Sequence, residues 1–107
     1  MTELTTHVLD TATGRPVAGV PVTLEIQDRD GAWCELATAL TDADGRSPSL
    51  PSRQPGLHRL RFDVTAHHGP DAFFPEVSIA FRVGEGEARL HLPLLLSPFG
   101  YSTYRGS

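Results

Sequence analysis

The sequence predicts an all-β sandwich, and three observations carry that expectation. Apolar residues recur at every second position in several segments, turn-forming residues separate those segments, and only one stretch leaves room for a helical turn. Ten glycines and nine prolines in 107 residues supply the punctuation, and seven or eight short strands at this spacing suit two packed sheets in one domain, residues 1–107.

A first strand is expected at about 4–10, where Leu4, Thr6 and Val8 alternate with Thr5, His7 and Leu9. Thr13-Gly14-Arg15-Pro16 ends it. Over 20–27, Val20, Val22, Leu24 and Ile26 share one face, and Asp30-Gly31 leads to a further strand at 33–40. Asp44-Gly45 and Pro55-Gly56 mark the next turns. From His58 to Val64, Leu60, Phe62 and Val64 oppose Arg59, Arg61 and Asp63. The helical turn falls between Ala66 and Phe73, where Gly69-Pro70 limits it to about one turn. Over 75–83, Val77, Ile79, Phe81 and Val83 oppose Glu76, Ser78, Ala80 and Arg82.

After Gly84-Glu85-Gly86, a strand at 87–96 places Leu90, Leu92, Leu94 and Leu96 on one face. Its other face carries Arg89, His91, Pro93 and Leu95 and is more apolar than a solvated face, which predicts burial against a partner. Assigning Val8 and Leu92 to the core sets His7 and His91 on the off-core side, although parity alone leaves either face open. A last strand at 99–105 gives Ser102 and Tyr104 the same parity.

Composition narrows the function classes. With 39% hydrophobic and 21% charged residues the chain is globular, and its net charge of −4 with no basic stripe points away from nucleic acid. No apolar run approaches the ~20 residues of a membrane span. The start, Met1-Thr2-Glu3-Leu4, lacks the basic and apolar parts of an export signal, and the end is not a Ser-Lys-Leu address; a reducing cytoplasm is expected. The lone Cys34 has no disulfide partner and is expected as a small buried or half-buried thiol. A chain this small without disulfides is a candidate for oligomerisation.

Specific chemistry is concentrated at the C-terminus. Leu90-His91-Leu92-Pro93-Leu94-Leu95-Leu96-Ser97-Pro98 runs into Phe99-Gly100-Tyr101-Ser102-Thr103-Tyr104-Arg105-Gly106-Ser107. With Thr5-Thr6-His7 and Asp44-Gly45-Arg46, these segments resemble the transthyretin-like 5-hydroxyisourate hydrolases of urate breakdown, from Leu4 to Ser107. Transthyretin itself, a hormone carrier, is similar through the Leu-Ser-Pro region but lacks both histidines and the Tyr-Arg-Gly-Ser ending. Two features depart from the family pattern: Arg89 replaces the first histidine of a His-x-His pair, and the segment between Ala66 and Phe73 is short.

The resemblance implies a prealbumin-like sandwich of two four-stranded sheets, assembled as a homotetramer with sites in channels between subunits. It also implies a cofactor-free hydrolysis of 5-hydroxyisourate to 2-oxo-4-hydroxy-4-carboxy-5-ureidoimidazoline. On that reading His7 and His91 position and deprotonate water, since imidazole titrates near neutral pH. Arg46 stabilises charge developing on the carbonyl oxygen. Tyr104 fixes the ring, and the Ser107 hydroxyl or carboxylate completes the network. Arg105 either contacts substrate or only anchors the tail.

Two other readings stand beside this one. A transthyretin-like carrier would hold a small ligand unreacted, and an immunoglobulin-like structural module would suit Val8 to Val22 and Thr41 to Gly45 equally well. The resemblance assigns no role to His58, His67 or His68. No zinc-ligand spacing with a supporting carboxylate is legible among the five histidines, so no metal is expected.

Overall fold

Strict alternation of buried and half-buried residues runs through the first strand, β1 (Thr2–Asp10). Leu4, Thr6 and Val8 face the interior, while Glu3, Thr5, His7 and Leu9 face outward. This pattern comes from a computed structural model that describes residues 1–107. The remaining elements are β2 (Arg15–Pro16), β3 (Pro21–Gln27), β4 (Trp33–Leu40), β5 (Leu50–Ser52), β6 (Gly56–Asp63), α1 (Thr65–His68), β7 (Glu76–Val83), β8 (Arg89–Ser97) and β9 (Gly100–Thr103).

Two sheets pack face to face. One has the order β2-β1-β8-β9, with β5 paired to β1, and the other has the order β4-β3-β6-β7. The sandwich is therefore as the alternation predicts, with the very short β2 and β5 added to the first sheet. Between the layers lies one cluster of 17 buried apolar residues, including Leu4, Val22, Leu24, Phe62, Val77, Leu94 and Leu96. Each of the four alternating leucines of β8 belongs to it, which fixes the parity that the sequence left open. No helix is long and apolar enough to cross a membrane.

Most buried polar side chains are paired, as the cost of an unmet hydrogen bond requires. Thr6 Oγ1 donates to the Leu92 carbonyl (2.6 Å), joining β1 to β8. His58 is fully buried and both ring nitrogens are engaged. Nδ1 lies 2.9 Å from the Gly56 carbonyl and Nε2 lies 2.7 Å from Ser52 Oγ. A carbonyl can only accept, so Nδ1 donates to Gly56, and Nε2 is satisfied by the Ser52 hydroxyl. His58 is thus a core residue, in keeping with its position in a strand.

Three expectations need correction. Cys34 is exposed, because its half of β4 forms the edge of the second sheet, where the pairing with β3 shifts register between Leu24 and Glu25. The last strand stops at Thr103, not 105. The β8–β9 register pairs Leu94 with Thr103, and continuing it would set Tyr104 opposite Pro93, which has no N–H to donate. Finally, a carboxylate does stand beside a histidine pair: Asp10 Oδ2 is 2.7 Å from His67 Nε2, a contact across 57 residues that no local spacing reveals.

Candidate active site

The parallel pairing of β1 with β8 sets the site. Its register places Thr5 beside His91 and His7 beside Pro93, so both histidines emerge on the same outer face of the first sheet. Thr5 Oγ1 lies 2.8 Å from His91 Nδ1 and fixes the ring. Glu3 and Arg89, also register partners, extend the same face toward its end.

Arg46 reaches this face through the turn that begins at Asp42. The Asp42 carboxylate accepts from the backbone N–H of Asp44 (2.9 Å) and of Arg46 (3.0 Å). Gly45 follows with φ +76°, and a Cβ there would collide with the Val8 carbonyl oxygen. Glycine lets the turn lie against β1, where Val8 N–H donates to the Gly45 carbonyl (2.8 Å). Arg46 then bridges to His7 in an antiparallel pair. It forms no ion pair within the chain, so its guanidinium is available to a ligand.

The C-terminal tail closes the third side. Beyond Tyr104 and Arg105 it returns to β8, where Gly106 N–H donates to the His91 carbonyl (2.7 Å). A Cβ on Gly106 would lie 2.7 Å from His91 Cδ2, so only glycine lets the tail pass over this ring. Arg105 anchors the tail by pairing with Glu87 at 3.1 Å, which is one of the two roles the sequence left open.

Together these parts form a cleft of about 820 Å³ in which Arg46, His91 and Ser107 converge with Thr5, Glu3 and Arg89. Leu90 is the only hydrophobic lining residue. His7 sits beside the cleft, not in its wall; its Nε2 lies 2.7 Å from the Asp44 carbonyl and donates there, because a carbonyl can only accept. Tyr104 is 57% exposed and outside the cleft of a single chain. Ser102 lines a separate depression with Tyr101 and Leu95, so the shared-parity expectation for Ser102 and Tyr104 does not bring them together.

Electrostatics favour a neutral base. Burial pushes the His91 imidazolium pKa below its usual value, and the charges of Arg46 and His7 push it the same way. His91 is therefore unprotonated at neutral pH and can accept a proton. If Nε2 is the accepting atom, the Nδ1 proton is donated to Thr5 Oγ1, which holds the tautomer. Such a cleft can activate water beside a guanidinium that meets developing negative charge. Glu3 and Thr5 carry no role in the sequence reading, and Arg89 enters it only in place of a family histidine, yet all three are parity mates of His7 and His91, and that is the signal that finds them.

Comparison with known proteins identifies a family for the chain. The sequence model described as the HIUase/Transthyretin family matches residues 4–106. A uric acid degradation bifunctional protein from Arabidopsis thaliana is 45% identical over 120 residues, covering 97% of this chain and 37% of that protein. The 5-hydroxyisourate hydrolase of Mus musculus is 43% identical over 111 residues, covering 97% of this chain and 94% of the relative. Among solved structures, 5-hydroxyisourate hydrolase from Klebsiella pneumoniae superposes with a TM-score of 0.82 at 36% identity, over 100% of both chains.

Proposed function

The chain belongs to the HIUase/Transthyretin family, and from that premise we propose that it is a 5-hydroxyisourate hydrolase of urate degradation. One arrangement carries the choice of enzyme over carrier: a histidine held below its usual pKa by burial and by the Arg46 charge, beside that unpaired guanidinium, in a cleft with a single hydrophobic lining residue. A carrier pocket for a small aromatic ligand is lined predominantly by hydrophobic and aromatic side chains, whereas Leu90 is the single hydrophobic residue lining this cleft.

The reaction follows from those groups. His91, with His7 beside it, takes a proton from water as the oxygen attacks a ring amide carbonyl. The carbonyl electrons move onto oxygen, where Arg46 meets the negative charge. Collapse breaks the C–N bond, and the leaving nitrogen takes the proton held on imidazole. The new acyl–oxygen group becomes the carboxylate of 2-oxo-4-hydroxy-4-carboxy-5-ureidoimidazoline. Water supplies every added atom, so the balance calls for no cofactor. Ser107 binds the polar ring edge through its hydroxyl or its terminal carboxylate.

Tyr104 joins the site through assembly. In this proposal the 107 residues act as one domain, and four copies form a homotetramer whose outer sheet faces enclose the clefts. Pro93 is buried and Leu9 and Leu95 are half-buried on the off-core face of β1 and β8, which favours a second covering layer. The outer strands β7 and β9 leave edges unpaired, and exposed Phe73 and Phe99 lie close by, their rings 5.9 Å apart. Long, uncovered strand edges favour pairing with another chain. An exposed free thiol at Cys34 suits a reducing compartment, and the cytoplasm is the proposed location.

The test generates 5-hydroxyisourate from urate in place and follows its ultraviolet decay. Catalytic amounts of the chain are expected to accelerate decay well above the spontaneous rate. Ligand binding with decay at the spontaneous rate would favour the carrier instead.

A further inference from the structure

Away from the cleft, the far end of β1 meets the short helix α1, and there three side chains converge that the reaction does not use. We propose that Asp10, His67 and His68 form a binding site for a zinc-class divalent cation. Asp10 is buried, and its two oxygens have separate duties. Oδ1 accepts from the backbone N–H of Ala12 (2.8 Å) and Thr13 (3.2 Å) in the turn after β1. That fixes the carboxylate and leaves Oδ2 facing α1.

Both histidines present Nε2 to that oxygen, His67 at 2.7 Å and His68 at 3.8 Å. The one ligand atom from each of the three residues lies within 4.8 Å of the other two. Zinc bonds of about 2.0–2.2 Å to imidazole nitrogen and carboxylate oxygen require tetrahedral ligand separations of roughly 3.3 Å. The two separations to Asp10 Oδ2 bracket that value, and small side-chain shifts would complete a three-ligand set.

A hydrogen-bonded dyad explains only half of the arrangement. His67 and Asp10 satisfy one another, but His68 Nε2 is sealed from solvent without a hydrogen-bond partner. Burying a polar atom in that state is costly. A cation shared by the three groups uses the His68 lone pair and the remaining capacity of Oδ2 at once. The His67 side chain is 32% exposed, which provides an entry path and an open position for water. Two imidazoles and one carboxylate select zinc or a similar transition metal over magnesium or calcium, which prefer all-oxygen sets. A bound ion would pin α1, in the connection between β6 and β7, to the turn after β1, and would stabilise the fold through mass action.

Calorimetric titration with ZnCl2 tests the site in the full chain carrying Cys34→Ser and His91→Ala, so that neither the exposed thiol nor the cleft competes. The expected result is one ion per chain and a Tm that rises with zinc. Adding His68→Ala should weaken binding by more than roughly tenfold and remove the zinc-dependent rise in Tm. His68→Gln, which keeps bulk and hydrogen-bonding capacity, should do the same if the alanine variant fails to fold. Absence of zinc binding, affinity unchanged in a folded His68 variant, or equally strong binding of MgCl2 would overturn the proposal.

Discussion

Replacing His91 with alanine is expected to lower kcat by about 10²–10⁴-fold, the range that a positioned acid–base group supplies, while the chain stays folded. Stability is spared because His91 lies on the outer face of β8, whereas the core is held by Leu90, Leu92, Leu94 and Leu96 on the other face. The imidazole makes one side-chain hydrogen bond, to Thr5 Oγ1 at 2.8 Å, and Thr5 can exchange it for water in the open cleft. Kinetics of 5-hydroxyisourate decay with a parallel thermal melt separate the two effects. A folded His91→Ala chain with wild-type kcat would remove His91 from the chemistry.

The second large effect is expected from Gly106→Ala, the addition of one methyl group. Its Cβ would lie 2.7 Å from His91 Cδ2, well inside van der Waals contact, and 3.3 Å from the His91 carbonyl oxygen. Either the imidazole rotates off Thr5 or the tail lifts away and carries Ser107 with it. A displacement of about 1 Å in a reacting group costs on the order of 10²-fold in rate, so kcat should fall by that amount. The melting temperature should barely move, since Gly106 is one residue from the chain end and outside the core. Wild-type turnover in this variant would mean that the tail does not pack over His91 in the working enzyme.

Much of the architecture is legible in the sequence because burial has a period of two in strands. The leucines at 90, 92, 94 and 96 place their own face in the core, and the oddly apolar reverse face points to a covering partner. Parity also sets His7 and His91 on one side, yet it cannot tell which residues stand across from them. The pairing of Thr5 with His91 joins positions 86 residues apart, so it exists only once β1 and β8 lie side by side. The same limit hides Asp10 and His67. β2 and β5, of two and three residues, are too short for any period to register.

At the C-terminus the sequence is informative in a different way. The ending marks Tyr104 and Ser107 as site residues through a resemblance, and the close approach of Gly106 to His91 supplies a physical reason for the glycine between them. Tyr104 fails the parity argument because Pro93 interrupts the ladder opposite it. Arg46 takes its role in the sequence from the resemblance alone; what brings it to the cleft is the positive φ of Gly45, which lays the turn against Val8.

The acid limb of the kcat/KM profile for 5-hydroxyisourate tests the central claim most directly. That profile reports the free enzyme's essential groups, and a base works only in its unprotonated form. Burial, Arg46 and His7 each lower the His91 pKa from 6.5, so activity should hold as pH falls through 6.5 and be lost only below it. A half-maximal point at or above pH 6.5 would contradict a proton acceptor kept neutral by this cleft.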